Sequence, residues 1–221
     1  MATEQVEMAA ATFASLKIQS PSESNLAVTV LDQELRVILL TAANRNSGVT
    51  SSSLSMANEL ARTSRGRVLV VDTSLSDSSL TRRLALDERP GFLDLALAET
   101  PPPLASCIES SDAVNFDFLP LGRRQQYSER LTPELLRELL QALAEEYRFV
   151  IIDGDPVYSS GDILTLATQV DGVVLVVRSE ETRWEVAQAA AQRLIQAEAK
   201  LIGSVFNARK YYMPKWVYDR L

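Results

Sequence analysis

The chain of 221 residues is 46% hydrophobic and 23% charged, the balance of a globular protein with one large domain or a domain and tails. It has no histidine and one cysteine, Cys107, which excludes imidazole bases, His-containing triads, His-ligated metals, intrachain disulfides and Cys-based zinc clusters. A net charge of −7 argues against general nucleic-acid binding, and the longest apolar runs, Val37–Leu40 and Val173–Val177, are strand-sized rather than membrane-spanning.

Residues 1–35 read as a partly flexible lead-in, small, polar and weakly patterned. Ala9–Ala11 and Ser20-Pro21-Ser22 suggest a short helix at most. Glu4 and Glu7, with no basic cluster, do not form a secretion signal, and a lone thiol suits a reducing compartment. From Arg36 onward, β-rich runs alternate with helix-like segments. Strands are expected at Val37–Ala42, Val68–Asp72, Phe116–Pro120, Phe149–Asp153, Val173–Arg178 and Leu201–Phe206. Four of these are nearly continuous apolar runs, as in a parallel sheet covered on both faces.

The helical segments carry end signals. Thr132-Pro133-Glu134 gives an N-cap and a first-turn proline ahead of a stripe of Leu135, Leu136, Leu139, Leu140 and Leu143. Thr182-Arg183-Trp184-Glu185 reads as a capping box before an Ala-rich helix reaching about Ala199. Thr100–Pro103, with three consecutive prolines, is expected to be a surface connection. The alternation predicts an α/β fold: a doubly wound, mainly parallel sheet flanked by helices, one domain over 36–208. Residues 209–221 form a basic, tyrosine-bearing tail.

In such a sheet a ligand binds beyond the carboxyl ends of the strands. The first strand runs into Ala43-Asn44-Arg45-Asn46-Ser47-Gly48-Val49-Thr50-Ser51 and then a helix, the spacing of the phosphate cradle G-x-x-x-x-G-K-[ST]. Gly48 and Thr50 match. Ala43 stands where the first glycine belongs, and Val49 where the lysine belongs. That lysine follows phosphate charge through transfer, and one charged hydrogen bond is worth about 1.5–3 kcal/mol. Of the 22 basic residues only Lys17, Lys200, Lys210 and Lys215 are lysines, so none lies between 18 and 199. Arg45 is the loop's own cation. Asp72 and Asp153 each end a buried strand. They could share a Mg²⁺ and its waters, or each could cap the turn that follows.

The loop, the Val68–Asp72 strand, Pro90-Gly91-Phe92-Leu93-Asp94, Val150-Ile151-Ile152-Asp153, Gly203-Ser204-Val205-Phe206-Asn207 and the tail tyrosines together resemble the bacterial tyrosine kinases of polysaccharide export. This family falls within the MinD/ParA-like P-loop proteins with a deviant Walker A motif. The resemblance covers about residues 36–221. It implies a P-loop NTPase-like fold and a nucleotide site at Gly48, Val49, Thr50 and Ser51, with Asn207 facing the base. It also implies Mg²⁺ held by Thr50, Asp72 and Asp153, the two aspartates being the catalytic acids of an active member. Tyr211, Tyr212 and Tyr218 would be the autophosphorylated cluster. The sequence departs from the pattern at Val49, at Asn44 in place of a signature lysine, and at Ser74 in place of a second aspartate. The glutamate- and arginine-bearing helix that builds kinase rings is not recognisable around Ser22–Asp32.

The leading expectation is a degenerate, pseudo-kinase member acting in assembly or regulation of exopolysaccharide or capsule synthesis and export. ATP and Mg²⁺ binding would be weak or lost, and catalysis absent. Its partner would be a membrane-embedded polysaccharide co-polymerase or an active kinase paralogue, with self-association open and no nucleic acid. It would sit in the cytoplasm, at the inner face of the membrane through that partner. Two alternatives stay open: an active ATP-dependent tyrosine autokinase, and a MinD/ParA-like positioning or pilus-assembly protein. Over 209–221, Arg209, Lys210, Lys215 and Arg220 against Asp219 give a local charge of +3 beside Tyr211, Tyr212, Trp216 and Tyr218. Such a tail either packs back on the domain or docks on a partner or an anionic surface.

Overall fold

Six strands form one all-parallel sheet in the computed structural model, which describes residues 21–123 and 130–207. They are β1 (Val37–Ala42), β2 (Val68–Asp72), β3 (Asp117–Leu119), β4 (Phe149–Asp153), β5 (Gly172–Arg178) and β6 (Leu201–Asn207), in the spatial order β3-β2-β4-β1-β5-β6. The expected doubly wound sheet is present. Every residue of β1, β2 and β4 is buried, which is why these strands read as unbroken apolar runs. Tyr211, Tyr212, Tyr218 and the rest of the tail lie outside the described residues.

Alternate residues feed two cores. Val37, Leu39, Leu69, Val71, Val150 and Ile152 point to one face of the sheet. There they meet α4 (Phe92–Leu97), α6 (Pro133–Glu146), α7 (Asp162–Ala167) and α8 (Trp184–Gln196). Ile38, Leu40, Val68, Val70, Ile151 and Val176 point to the other face, towards α1 (Pro21–Asp32), α2 (Val49–Thr63) and α3 (Leu80–Arg83). A short α5 (Leu104–Cys107) follows the proline run. The period-2 alternation of each strand therefore serves helices on both sides.

Two local features differ from the sequence reading. Residues 21–32, placed in the lead-in, form the full helix α1, whose Leu26, Ala27 and Val30 are buried against α2 and β6. Gly203 makes this approach close, since a Cβ there would sit 2.9 Å from Leu26 Cδ2. The first residues after Pro21, Ser22-Glu23-Ser24-Asn25, are polar and the apolar residues crowd into 26–31, too short a stretch to show a helical period, and the packing makes the helix. The Thr182 capping box does not form. Arg183 takes the N-cap position without a side-chain hydrogen bond, because Thr182 N–H is drawn back to Arg178 O in the turn leaving β5. Thr132 does cap α6, accepting from Leu135 N–H, and Leu136, Leu140 and Leu143 are buried while Leu135 faces out. Each buried leucine contributes roughly 2 kcal/mol.

Candidate functional site

The order of the strands makes β1 the switch point: its neighbour β4 leads the chain to β5 on the other side. The crevice beyond the carboxyl ends of β1 and β4 is where such sheets bind ligands. The loop 43–48 fills one side of it. Asn46 (φ 61°) and Gly48 (φ 87°) both adopt the left-handed conformation, around a Ser47 whose hydroxyl donates to Asn44 O at 2.8 Å. Two side chains hold the loop from behind. Arg178 Nη1 donates to Asn46 O at 2.9 Å, and Asn207 Nδ2 donates to Ser47 O at 3.0 Å. Arg178 and Asn207 are cross-strand partners at the ends of β5 and β6, so one rung of the sheet anchors two consecutive loop carbonyls. Gly48 is required here: a Cβ would lie 1.7 Å from Asn207 Nδ2.

With its carbonyls tied back, the loop is a concave run of backbone N–H groups, an anion cradle in form. It opens α2, whose N-cap Gly48 supplies no side-chain bond, leaving the first-turn N–H groups and the positive end of the helix for a ligand. Val49 lines the same cavity and packs partly against the core. Among the described residues the only lysine is Lys200, just before β6 at the opposite end of the sheet.

The two expected aspartates are register partners on β2 and β4, but they face different things. Asp72 Oδ2 accepts from Thr81 N–H and Thr81 Oγ1, both at 2.7 Å, and its Oδ1 accepts from Ser74 N–H at 3.0 Å. It ties down the segment after β2 and does not line the cavity. Asp72 thus caps the turn that follows β2. Burial raises its pKa, and the Thr81 and Ser74 bonds pull the other way.

Asp153 does line the cavity. It is 2% exposed, Ser53 Oγ donates to its Oδ1 at 3.4 Å, and its Oδ2 has no hydrogen-bond partner. Burial first, then the charge of Asp72, push its pKa up to about 8 against the hydroxyls of Thr50 and Ser53. A buried carboxylate oxygen without a donor is costly unless a proton or a cation meets it. Thr50 and Asp153 thus fit a hydrated Mg²⁺ completed by phosphate oxygens. Among the described residues no cluster of three acidic or thiol ligands could hold a metal alone.

Sequence reasoning missed two residues. Asp155, 8% exposed, accepts from Ser74 Oγ at 2.6 Å and from Leu75 N–H at 2.9 Å. Ser74 is therefore held from across the strand pair by the Asp153-Gly154-Asp155 phrase. Arg83, at the end of α3, also lines the cavity with Arg45, Thr50, Asp153 and Asp155. The cavity measures about 420 Å³, within the usual range for small ligands.

No family model matches the chain. It is 24% identical over 188 residues to the tyrosine-protein kinase YwqD of Bacillus subtilis, covering 85% of this chain and 78% of that one. It is 27% identical over 178 residues to the putative tyrosine-protein kinase EpsB of Ralstonia nicotianae, covering 80% of this chain but 23% of EpsB. The chain thus spans most of one relative and under a third of the other. Among solved structures, the VpsO kinase domain superposes with a TM-score of 0.73 at 26% identity, covering 95% of this chain and 98% of that one. MinD of Aquifex aeolicus, at 18% identity and a TM-score of 0.63 over 82% and 73% of the two chains, shares the fold.

Sheet order and loop together give the chain a P-loop NTPase-like fold, the fold it shares with the VpsO kinase domain and with MinD. Within that class the chain is related to the kinase domains of the bacterial tyrosine kinases.

Proposed function

We propose that the protein is a bacterial-tyrosine-kinase-like domain without phosphotransfer activity, serving as an assembly or regulatory component of exopolysaccharide or capsule synthesis and export. The observation that carries this reading is Val49 in the lysine position of an otherwise well-formed phosphate cradle. An ammonium there would follow charge from the ground state to the transferred phosphoryl group, and valine has no donor. The relatives' names support the kinase-like role. The partner would be the cytoplasmic face of a membrane-embedded co-polymerase, or an active kinase of the same family. Attachment to the membrane would run through that partner, as no described helix is long and apolar enough to cross one.

If Mg²⁺ and ATP enter, Thr50 and Asp153 would hold the cation and the loop N–H groups the phosphates. The ion would supply charge neutralisation on the phosphate oxygens. This chain's residues then bind and orient without a mobile cation at position 49. An active autokinase is the second reading, favoured by the retained Asp153 and by the two arginines on the cavity wall. Incubating the full chain with γ-labelled ATP and Mg²⁺ separates the two. The expected result is phosphate release and tyrosine labelling at background. Robust turnover abolished by Asp153→Ala would establish the kinase reading instead.

A further inference from the structure

We propose that Arg83 takes over the phosphate-binding charge that Val49 cannot supply, so that the cavity binds a nucleotide polyphosphate with Mg²⁺ despite the missing lysine. This inference rests on the phosphate-cradle reading of the same site and adds the residue that neutralises its ligand.

Arg82 and Arg83 are neighbours at the end of α3, and the structure uses them differently. Arg82 is committed to Asp77 and Asp87 through ion pairs. Arg83 makes no ion pair among the described residues and lines the cavity, across from the loop at 44–51. Consecutive helical residues diverge by about 100° around the axis, so one turns to the acidic surface and the other to the crevice. The backbone carrying Arg83 is fixed. Thr81 is gripped by Asp72 through both its N–H and its hydroxyl, its Oγ1 accepts from Leu121 N–H at 2.9 Å, and Leu80 and Leu84 on either side are buried. The aspartate that ends β2 thus helps position the arginine.

The opposite charge is also in place. The unpartnered Oδ2 of Asp153 is buried on the same cavity and calls for a cation, which Thr50 can help hold. A dication beside Asp153, phosphates on the loop N–H groups and a guanidinium from Arg83 make an alternating sequence of charges. Arg45 adds a second guanidinium from the loop. Arginine suits this duty, since its planar fork meets phosphate oxygens in pairs. It extends from a separate helix as a fixed clamp on bound phosphates, which explains retained binding without retained transfer.

The test is equilibrium binding of Mg·ATP, Mg·ADP and Mg·pyrophosphate to the full chain by calorimetry, with EDTA as the metal-free arm. Arg83→Gln is expected to weaken Mg·ATP binding at least ten-fold, roughly the loss of one charged hydrogen bond. Arg83→Lys should restore part of it, and Arg82→Gln should bind as the wild type. Pyrophosphate binding as tight as ADP would mean that the site reads phosphate alone; tighter ADP binding would mean that it reads the nucleoside as well. Either result supports the assignment if Arg83→Gln abolishes it. No binding of any of the three at millimolar concentration, or equal binding by Arg83→Gln, overturns it. So does an equal loss in Arg82→Gln. Binding without turnover is expected here, whereas turnover dependent on Arg83 would contradict the proposed function and leave this assignment standing.

Discussion

Asp72 and Asp153 end adjacent strands in register, yet one organises a turn and the other faces the cavity, and the difference is measurable. The folded-state pKa of Asp153 is raised to about 8, so the folded protein holds its proton more tightly than the unfolded chain, whose aspartates titrate near about 3.9. Stability from this group is complete below the unfolded value and declines as pH rises through about 8. Asp153→Asn, which cannot ionise, is therefore expected to raise the melting temperature relative to wild type by more at pH 8 than at pH 5. An equal difference at both values would refute this. At position 49, restoring a lysine with Val49→Lys should tighten Mg·ATP binding by about ten-fold, one charged hydrogen bond. Fluorescence titration of an ATP analogue would show it, and unchanged affinity would mean that the loop does not present position 49 to phosphate. The strand-ending aspartates were legible as residues with two open roles. Their hydrogen bonds were not legible, since those of Asp72 come from Ser74 and from Thr81, nine positions on, and that of Asp153 from Ser53 on another element.

At the scale of elements, helices with local end signals were readable and those made by distant contacts were not. Thr132 and the Leu136, Leu140, Leu143 stripe announce α6 within its own sequence. Thr132→Ala is expected to cost about 1 kcal/mol in urea unfolding, the usual worth of an N-cap; no loss would mean that the cap is idle. The helix α1 has no such signal and is held by the packing of Leu26, Ala27 and Val30 against α2 and β6. The short α3 is likewise held from outside itself. Thr81→Val removes a donor to the buried Asp72 carboxylate and the acceptor of Leu121 N–H. It should destabilise the fold by about 2–3 kcal/mol and weaken Mg·ATP binding with it, because the helix carries Arg83. Lost stability with full binding would show that Arg83 does not depend on this anchor.

For the whole molecule, the sheet was the most legible part. Strands covered on both faces must be apolar throughout, and that pattern needs no tertiary knowledge. The position of the site followed from the parallel topology, and the loop from its glycine and its spacing. What stayed hidden was the wall opposite the loop: Arg83 and Asp155 reach the cavity from the segments after β2 and β4, and only folding shows that they meet. The loop-holding bonds of Asn207 and Arg178 were hidden as well, since they join residues far apart in the chain. The account makes the protein a nucleotide-holding scaffold on a kinase fold. A single-turnover experiment tests this most directly, with the full chain in excess over γ-labelled ATP and Mg²⁺ so that the bound nucleotide itself is followed. The expected result is ATP recovered intact from the complex over hours. Conversion of the bound ATP to ADP, with label on tyrosine or released as phosphate well above the protein-free rate, would contradict it.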